Sequence, residues 1–226
     1  MKKQIITLCA LSLLVSNAAV AATISKDLKG FNFNITTPAN NSNSASSVKS
    51  TLSKAAMKAQ IDSINSKVNN LSSTYQSSVN SLANNLLPSE QLKSLNEQKQ
   101  KLQNSSKTAN EISVEISNAT VSALNKHLKS SASLQTFANL TTAQKTAVKK
   151  DLANLKNTSS SLTQITAQSK ILVSQIKADP SSALELKSDL SGLVKTQVSV
   201  AKQVKSITKL TENLTTSASK AGISLE

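Results

Sequence analysis

From Met57 onward the apolar residues recur at intervals of three and four: Met57, Ile61, Ile64, Val68, Leu71, Tyr75, Val79, Leu82 and Leu86. That spacing is the seam of a helix packed lengthwise on others, not the two-residue alternation of a strand. Val48 and Leu52 extend the seam backwards. Pro88 ends the run, and "PSEQLKSLNEQKQKL" opens a second through Leu92, Leu95, Leu102, Ala109, Ile112, Ile116, Ala119, Ala123 and Leu128. The stretch Lys99 to Asn110 is polar enough to predict a bend or a loosening there. A third run carries Val148, Leu152, Leu155, Leu162, Ile165, Leu172 and Ile176. It stops at Asp179-Pro180, where Asp can cap and Pro can take the first helical position. A fourth holds Leu186, Leu190, Leu193, Val200, Val204, Ile207, Leu214 and Ala221, with Gly222 placed as a C-terminal cap. Four segments of about 40 residues, roughly 60 Å each at 1.5 Å per residue, predict an all-α fold. The architecture expected is an elongated antiparallel bundle with coiled-coil-like seams over residues 48–222, followed by a tail at 223–226. Many seam positions are Ala, Ser or Thr, which bury little apolar area. Polar Gln197 and Thr211 interrupt the last seam and suit register selection more than strength.

The N-terminal residues follow other patterns. In "MKKQIITLCALSLLVSNAAVAA", Lys2 and Lys3 precede an apolar core from Ile5 to Val15 and the small-residue site Ala19-Val20-Ala21. This arrangement reads as a secretory signal peptide over 1–22, the apolar run being too short to span a bilayer. Cys9 lies inside that run, so lipidation is not expected, and cleavage would leave a chain without cysteine. Lys2 and Lys3 leave with it, lowering the formal charge from +14 to +12. Residues 23–47 follow as an extended arm and flexible linker. Phe31, Phe33 and Ile35 alternate with Asn32 and Asn34, a strand-like period of two. Such an arm either packs its phenylalanines onto the bundle or adds a strand to a partner's sheet edge. Residues 36–47, rich in Asn, Ser and Thr, read as linker. No later stretch is apolar enough to cross a membrane.

Helix starts are marked in the sequence. In "NLTTAQKTAVKKDL" at 139–152, Thr141 suits an N-cap and Gln144 follows three residues later, which makes a capping box. "LPSEQ" at 87–91 is a second start of related form, with Ser89 and Glu90 at its head. The Leu-Thr-x-x-Gln pattern is also similar to one in the Spy and CpxP family of periplasmic, cradle-shaped helical chaperones. That resemblance covers two short segments and implies a cationic helical surface that shields unfolded clients. The family's arginine- and methionine-rich composition is missing, and "LPSEQ" carries proline where the motif has threonine.

The chemistry left open is narrow. His127 is the chain's one histidine, which removes the paired Glu-x-x-His ligands of a di-iron bundle and the zinc hydrolase motifs. It is expected at the surface near a helix end. Three mature glycines, Gly30, Gly192 and Gly222, cannot form a phosphate loop, and abundant serine and lysine without a Gly-rich oxyanion segment do not make a hydrolase. Glu111 and Glu115 share a helix face and are expected to be solvated. The sequence thus points away from an enzyme, with no cofactor and no metal.

Charge is the remaining clue. All 26 basic residues are lysines, so guanine readout by arginine is absent and aromatic stacking is scarce; sequence-specific nucleic-acid binding is not expected. Lys195, Lys202 and Lys209 recur every seven residues opposite the apolar seam, with Lys205 beside them, and Lys145, Lys149, Lys150 and Lys156 add to the third run. These are the candidate face for a protein or anionic cell-surface partner. Asn-x-Ser/Thr triplets at Asn34, Asn70, Asn118 and Asn213 would matter only in a glycosylating host. Lysine-only, Asn-rich usage with a compact leader suggests a bacterial protein, exported to the periplasm or outside. The reading is an exported, non-enzymatic helical binding protein, with self-association open. Alternatives are a chaperone-like periplasmic protein or a lipid-associating protein whose amphipathic helices open onto a membrane.

Overall fold

A computed structural model describes residues 53–225. The expected arm with Phe31, Phe33 and Ile35, the leader, and the seam extension at Val48 and Leu52 lie outside the described residues. Among the described residues the protein is all-α, with no strand. The helices are α1 (Lys54–Leu86), α2 (Ser89–Gln103), α3 (Ala109–Lys129), α4 (Ala132–Ala138), α5 (Thr142–Ala178), α6 (Pro180–Glu185) and α7 (Lys187–Lys220).

Caps set where these helices begin and end. Ser53 accepts from the Ala56 amide at the head of α1. Thr141 and Gln144 form the expected capping box on α5, the Gln144 amide donating to the Thr141 hydroxyl at 3.2 Å. Asp179 caps α6, with Pro180 in the first helical position. α7 closes in a Schellman motif: Gly222 adopts φ 72°, its amide donates to Ser219 and the Ile223 amide to Ala218. A side chain added at Gly222 would meet open space, so the positive φ alone demands glycine. The residues after α7 are not a loose tail. Ile223 packs on the core and Leu225 is buried in it.

Three long helices, α1, α5 and α7, have 33, 37 and 34 residues, about 50–55 Å each. They match three of the expected segments, and α1 with α5 and α5 with α7 form the largest interfaces. The second segment differs. Its polar stretch breaks the helix at 104–108 and gives a hairpin, α2 folding back on α3. α2 has no buried residue. A helix without a buried face cannot join a core, so α2 lies outside the bundle with Leu92 and Leu95 resting against it.

α1, α3 and α7 run mutually parallel, and α5 runs antiparallel to them. The α1–α7 register is constant: Lys54 meets Glu185, Lys58 meets Asp189, Thr196 donates to Asn65, Ser72 donates to Gln203, and Tyr75 meets Ser206, each pair 131 residues apart. α3 parallels α7 at the far end, where Asn213 donates to Asn125 at 2.6 Å and the Ser217 hydroxyl donates to the Leu128 carbonyl. With 21 residues, α3 spans only about 32 Å. One end of the bundle therefore has four helices capped by α4, while the other has three.

Candidate functional site

On α7 the buried stripe is Leu193, Val200, Ile207 and Leu214, spaced by seven. Lys195, Lys202 and Lys209 each follow a stripe residue by two positions and are exposed, as is Lys205. On α5, Lys149 and Lys150 are exposed and Lys145 is half-buried. Antiparallel register comes from Gln197, whose side-chain amide donates to the Ser169 hydroxyl at 2.7 Å. That contact makes Gln197 a register residue, as expected of it. Thr211 is not one: its hydroxyl donates to the Thr208 carbonyl in its own helix.

The same register divides the candidate lysines into two groups. Lys209 lies level with the Lys156–Asn157 turn of α5, so Lys195 to Lys209 and Lys156 share the middle of the rod. Lys145, Lys149 and Lys150 lie 7 to 12 residues, or about 10–18 Å, further along, towards the end where α3 and α7 finish. Lys126 and Lys129 occupy the last turn of α3 there, and Lys220 the last turn of α7. At the opposite end Lys54 and Lys58 are paired with Glu185 and Asp189.

Four polar residues stand in surroundings that the sequence pattern did not predict. His127 was expected at the surface, but it is 4 % exposed. Its Nε2 meets the Thr136 hydroxyl at 3.0 Å, and burial pushes its pKa down, so it is held neutral. The short α4 folds back over the end of α3 and covers it, which the apolar pattern could not signal. Glu111 and Glu115 are not simply solvated. Glu111 completes a capping box with Thr108, accepting from its amide and its hydroxyl at 2.8 Å each, and those bonds hold its carboxyl below the usual range. Glu115 pairs with Lys107. Thr108-x-x-Glu111 is a readable start signal.

Asp151 was not singled out at all. It is 7 % exposed, in the α1–α5 interface. The Ser81 and Ser78 hydroxyls bond to its carboxylate while Oδ2 has no partner. Burial pushes its pKa up, against the hydroxyls and the neighbouring Lys150. The signal was present: Val148, Asp151 and Leu155 follow the same three–four spacing as the core.

A cleft of about 280 Å³ opens between α1, α2 and α3. Gln76, Asn80, Gln103 and Ser117 line it with Lys99, over Ile112 and Ile116. Among the described residues no cluster of three or more His, Cys, Asp or Glu is placed to hold a metal ion, and no helix is long and apolar enough to cross a membrane. No protein-family model, curated protein or solved structure matches this chain.

Proposed function

We propose that this is an exported, non-enzymatic binding protein whose lysine-bearing surface contacts an anionic partner, either an acidic protein or an anionic cell-surface component. One observation carries the reading. From Lys195 to Lys209, α7 presents four exposed lysines and no carboxylate, on the side away from its buried stripe. A helix kept soluble by charge alone would do as well with mixed signs, and mixed signs would pair at i, i+4. A run of one sign raises the local concentration of polyanions and loses that attraction as salt screens it. Lys145, Lys149 and Lys150 extend the cationic surface along α5.

The test is calorimetric binding of dextran sulfate at low and high salt. The variant K195Q/K202Q/K205Q/K209Q should bind more than about tenfold more weakly than the native chain at low salt, and the native affinity should fall steeply as salt is raised. Salt-independent binding, or a variant that binds like the native chain, would refute the proposal. Suppression of client aggregation by the same variant at full strength would instead favour a chaperone-like role that does not use these lysines.

A further inference from the structure

We infer that the end of the bundle crowned by α4 is an adsorption surface for anionic lipid headgroups, on which the folded rod stands end-on. The inference rests on the reading that lysines supply the contact chemistry, and it assigns one of the two lysine groups its own partner.

Three helix ends bring lysines together here. The last turn of α3 brings Lys126 and Lys129, the start of α5 brings Lys145 and Lys150, and the last turn of α7 brings Lys220. Nearby carboxylates do little to neutralise them. Asp151 is turned into the α1–α5 interface, where burial favours its neutral form. Glu212 lies eight residues back from Lys220 along α7, level with the Leu124–Asn125 turn of α3, and Glu90, at the head of α2, is an exposed acid at this end, so among the described residues the five lysines stay in excess. Helix dipoles account for lysines in the last turns of α3 and α7, where positive charge is favourable. They do not account for Lys145, which follows the first turn of a helix with no acid in that turn. There a cation opposes the dipole.

The shape of the crown selects lipid over a soluble polyanion. α4 turns Phe137 inward at 0 % exposure and leaves Leu134 38 % exposed, with Ala132 and Ala138 open beside it. An apolar crest ringed by cations suits the headgroup region of a bilayer, where the crest enters the acyl boundary and the cations meet phosphates. A soluble polyanion would use the cations and leave Leu134 idle. Distance then separates the two lysine groups. In the end-on pose Lys209 lies 11 residues from Lys220, about 16 Å from the surface, beyond the ~8 Å Debye length at physiological salt.

The experiment is co-sedimentation of the purified protein with vesicles of phosphatidylglycerol mixed with phosphatidylcholine, against vesicles of phosphatidylcholine alone. Helicity by circular dichroism verifies that each variant is folded. The substitutions fall on exposed or half-buried side chains, and Leu134→Gln alone provides a milder probe of the crest. Binding should require phosphatidylglycerol. K126Q/K129Q/K145Q/K150Q should weaken it about thirtyfold or more, Leu134→Gln about threefold, and K195Q/K202Q/K205Q/K209Q less than about twofold. Equal binding to neutral vesicles, an end variant that binds like the native chain, or an α7 variant that loses as much would each overturn the inference. Absence of vesicle binding with dextran sulfate binding retained would sink the lipid assignment and leave the broader reading standing. Loss of both would end both.

Discussion

Where α3 joins the bundle, Leu82, Leu124, Phe137 and Leu214 are all completely buried. At the opposite end, α1, α5 and α7 lack a fourth helix, and Lys54 and Lys58 reach across to Glu185 and Asp189 in exposed ion pairs. The same three helices run through both regions, so the contrast isolates what the added helix does. α3 adds a covered apolar core beside a polar α1–α7 seam that runs through both regions. Burial at about 25 cal/mol per Å² outweighs exposed ion pairs worth about 0–1 kcal/mol each. The four-helix end should therefore hold most of the stability, and the three-helix end mostly register.

The largest effect expected is from Phe137→Ala, which should lower the free energy of unfolding by about 4 kcal/mol. Met57→Ala at the three-helix end, also buried, should cost about 2 kcal/mol, because that site borders solvent on the side α3 does not reach. Urea midpoints of the two variants measure the difference, and equal losses would erase the contrast. Thr141→Ala removes the capping box that starts α5 and should cost about 1 kcal/mol, with Thr141→Ser close to native in the same titration.

Asp151 allows a sharper test at the α3 end. Its pKa is raised on folding, so between the ordinary carboxylate value and the raised one the folded state binds more protons than the unfolded. Stability contributed by this site thus falls as pH rises through that window, and the cost persists above it. Asp179 and Glu111 are shifted the other way, and their contributions are lost as pH falls. The difference between the native chain and Asp151→Asn isolates the site. Their melting temperatures should converge on acidification and diverge towards neutral pH, with the native chain losing ground relative to the variant. Parallel curves would mean that Asp151 is not held in a costly ionised state. The smallest effect belongs to the three-helix end: a double-mutant cycle on Lys58 and Asp189 should give about 0.5 kcal/mol or less, vanishing in high salt.

How far the sequence could be read follows the same contrast. Wherever apolar residues kept the three–four spacing, as from Met57 to Leu86 or Val148 to Ile176, helix and buried face were both legible, because burial decides those positions. The starts at Thr141 and Asp179 and the stop at Gly222 were legible because capping is local chemistry. The α2–α3 hairpin was only half legible. Lys99 to Asn110 announced a weak spot, but whether a weak helix bends or folds back depends on what its neighbours leave uncovered. His127 and Asp151 were misplaced or missed for a related reason. A polar residue is buried by partners distant in sequence, here α4 over His127 and the α1 serines over Asp151, and spacing along one helix does not reveal them. The candidate lysines were named from the sequence, but their division into two groups needed the Gln197–Ser169 register.

The 131-residue offset between α1 and α7 also governs the order of events during synthesis. α1 can form early, but the polar partners on its flank, Glu185, Asp189, Thr196, Gln203 and Ser206, each follow it by 131 residues. Until they arrive, α1 and α5 can pair only as an open hairpin. Contacts of such long sequence separation close late. A chain to which α7 has not yet been added therefore lacks the contacts that fix the register of α1.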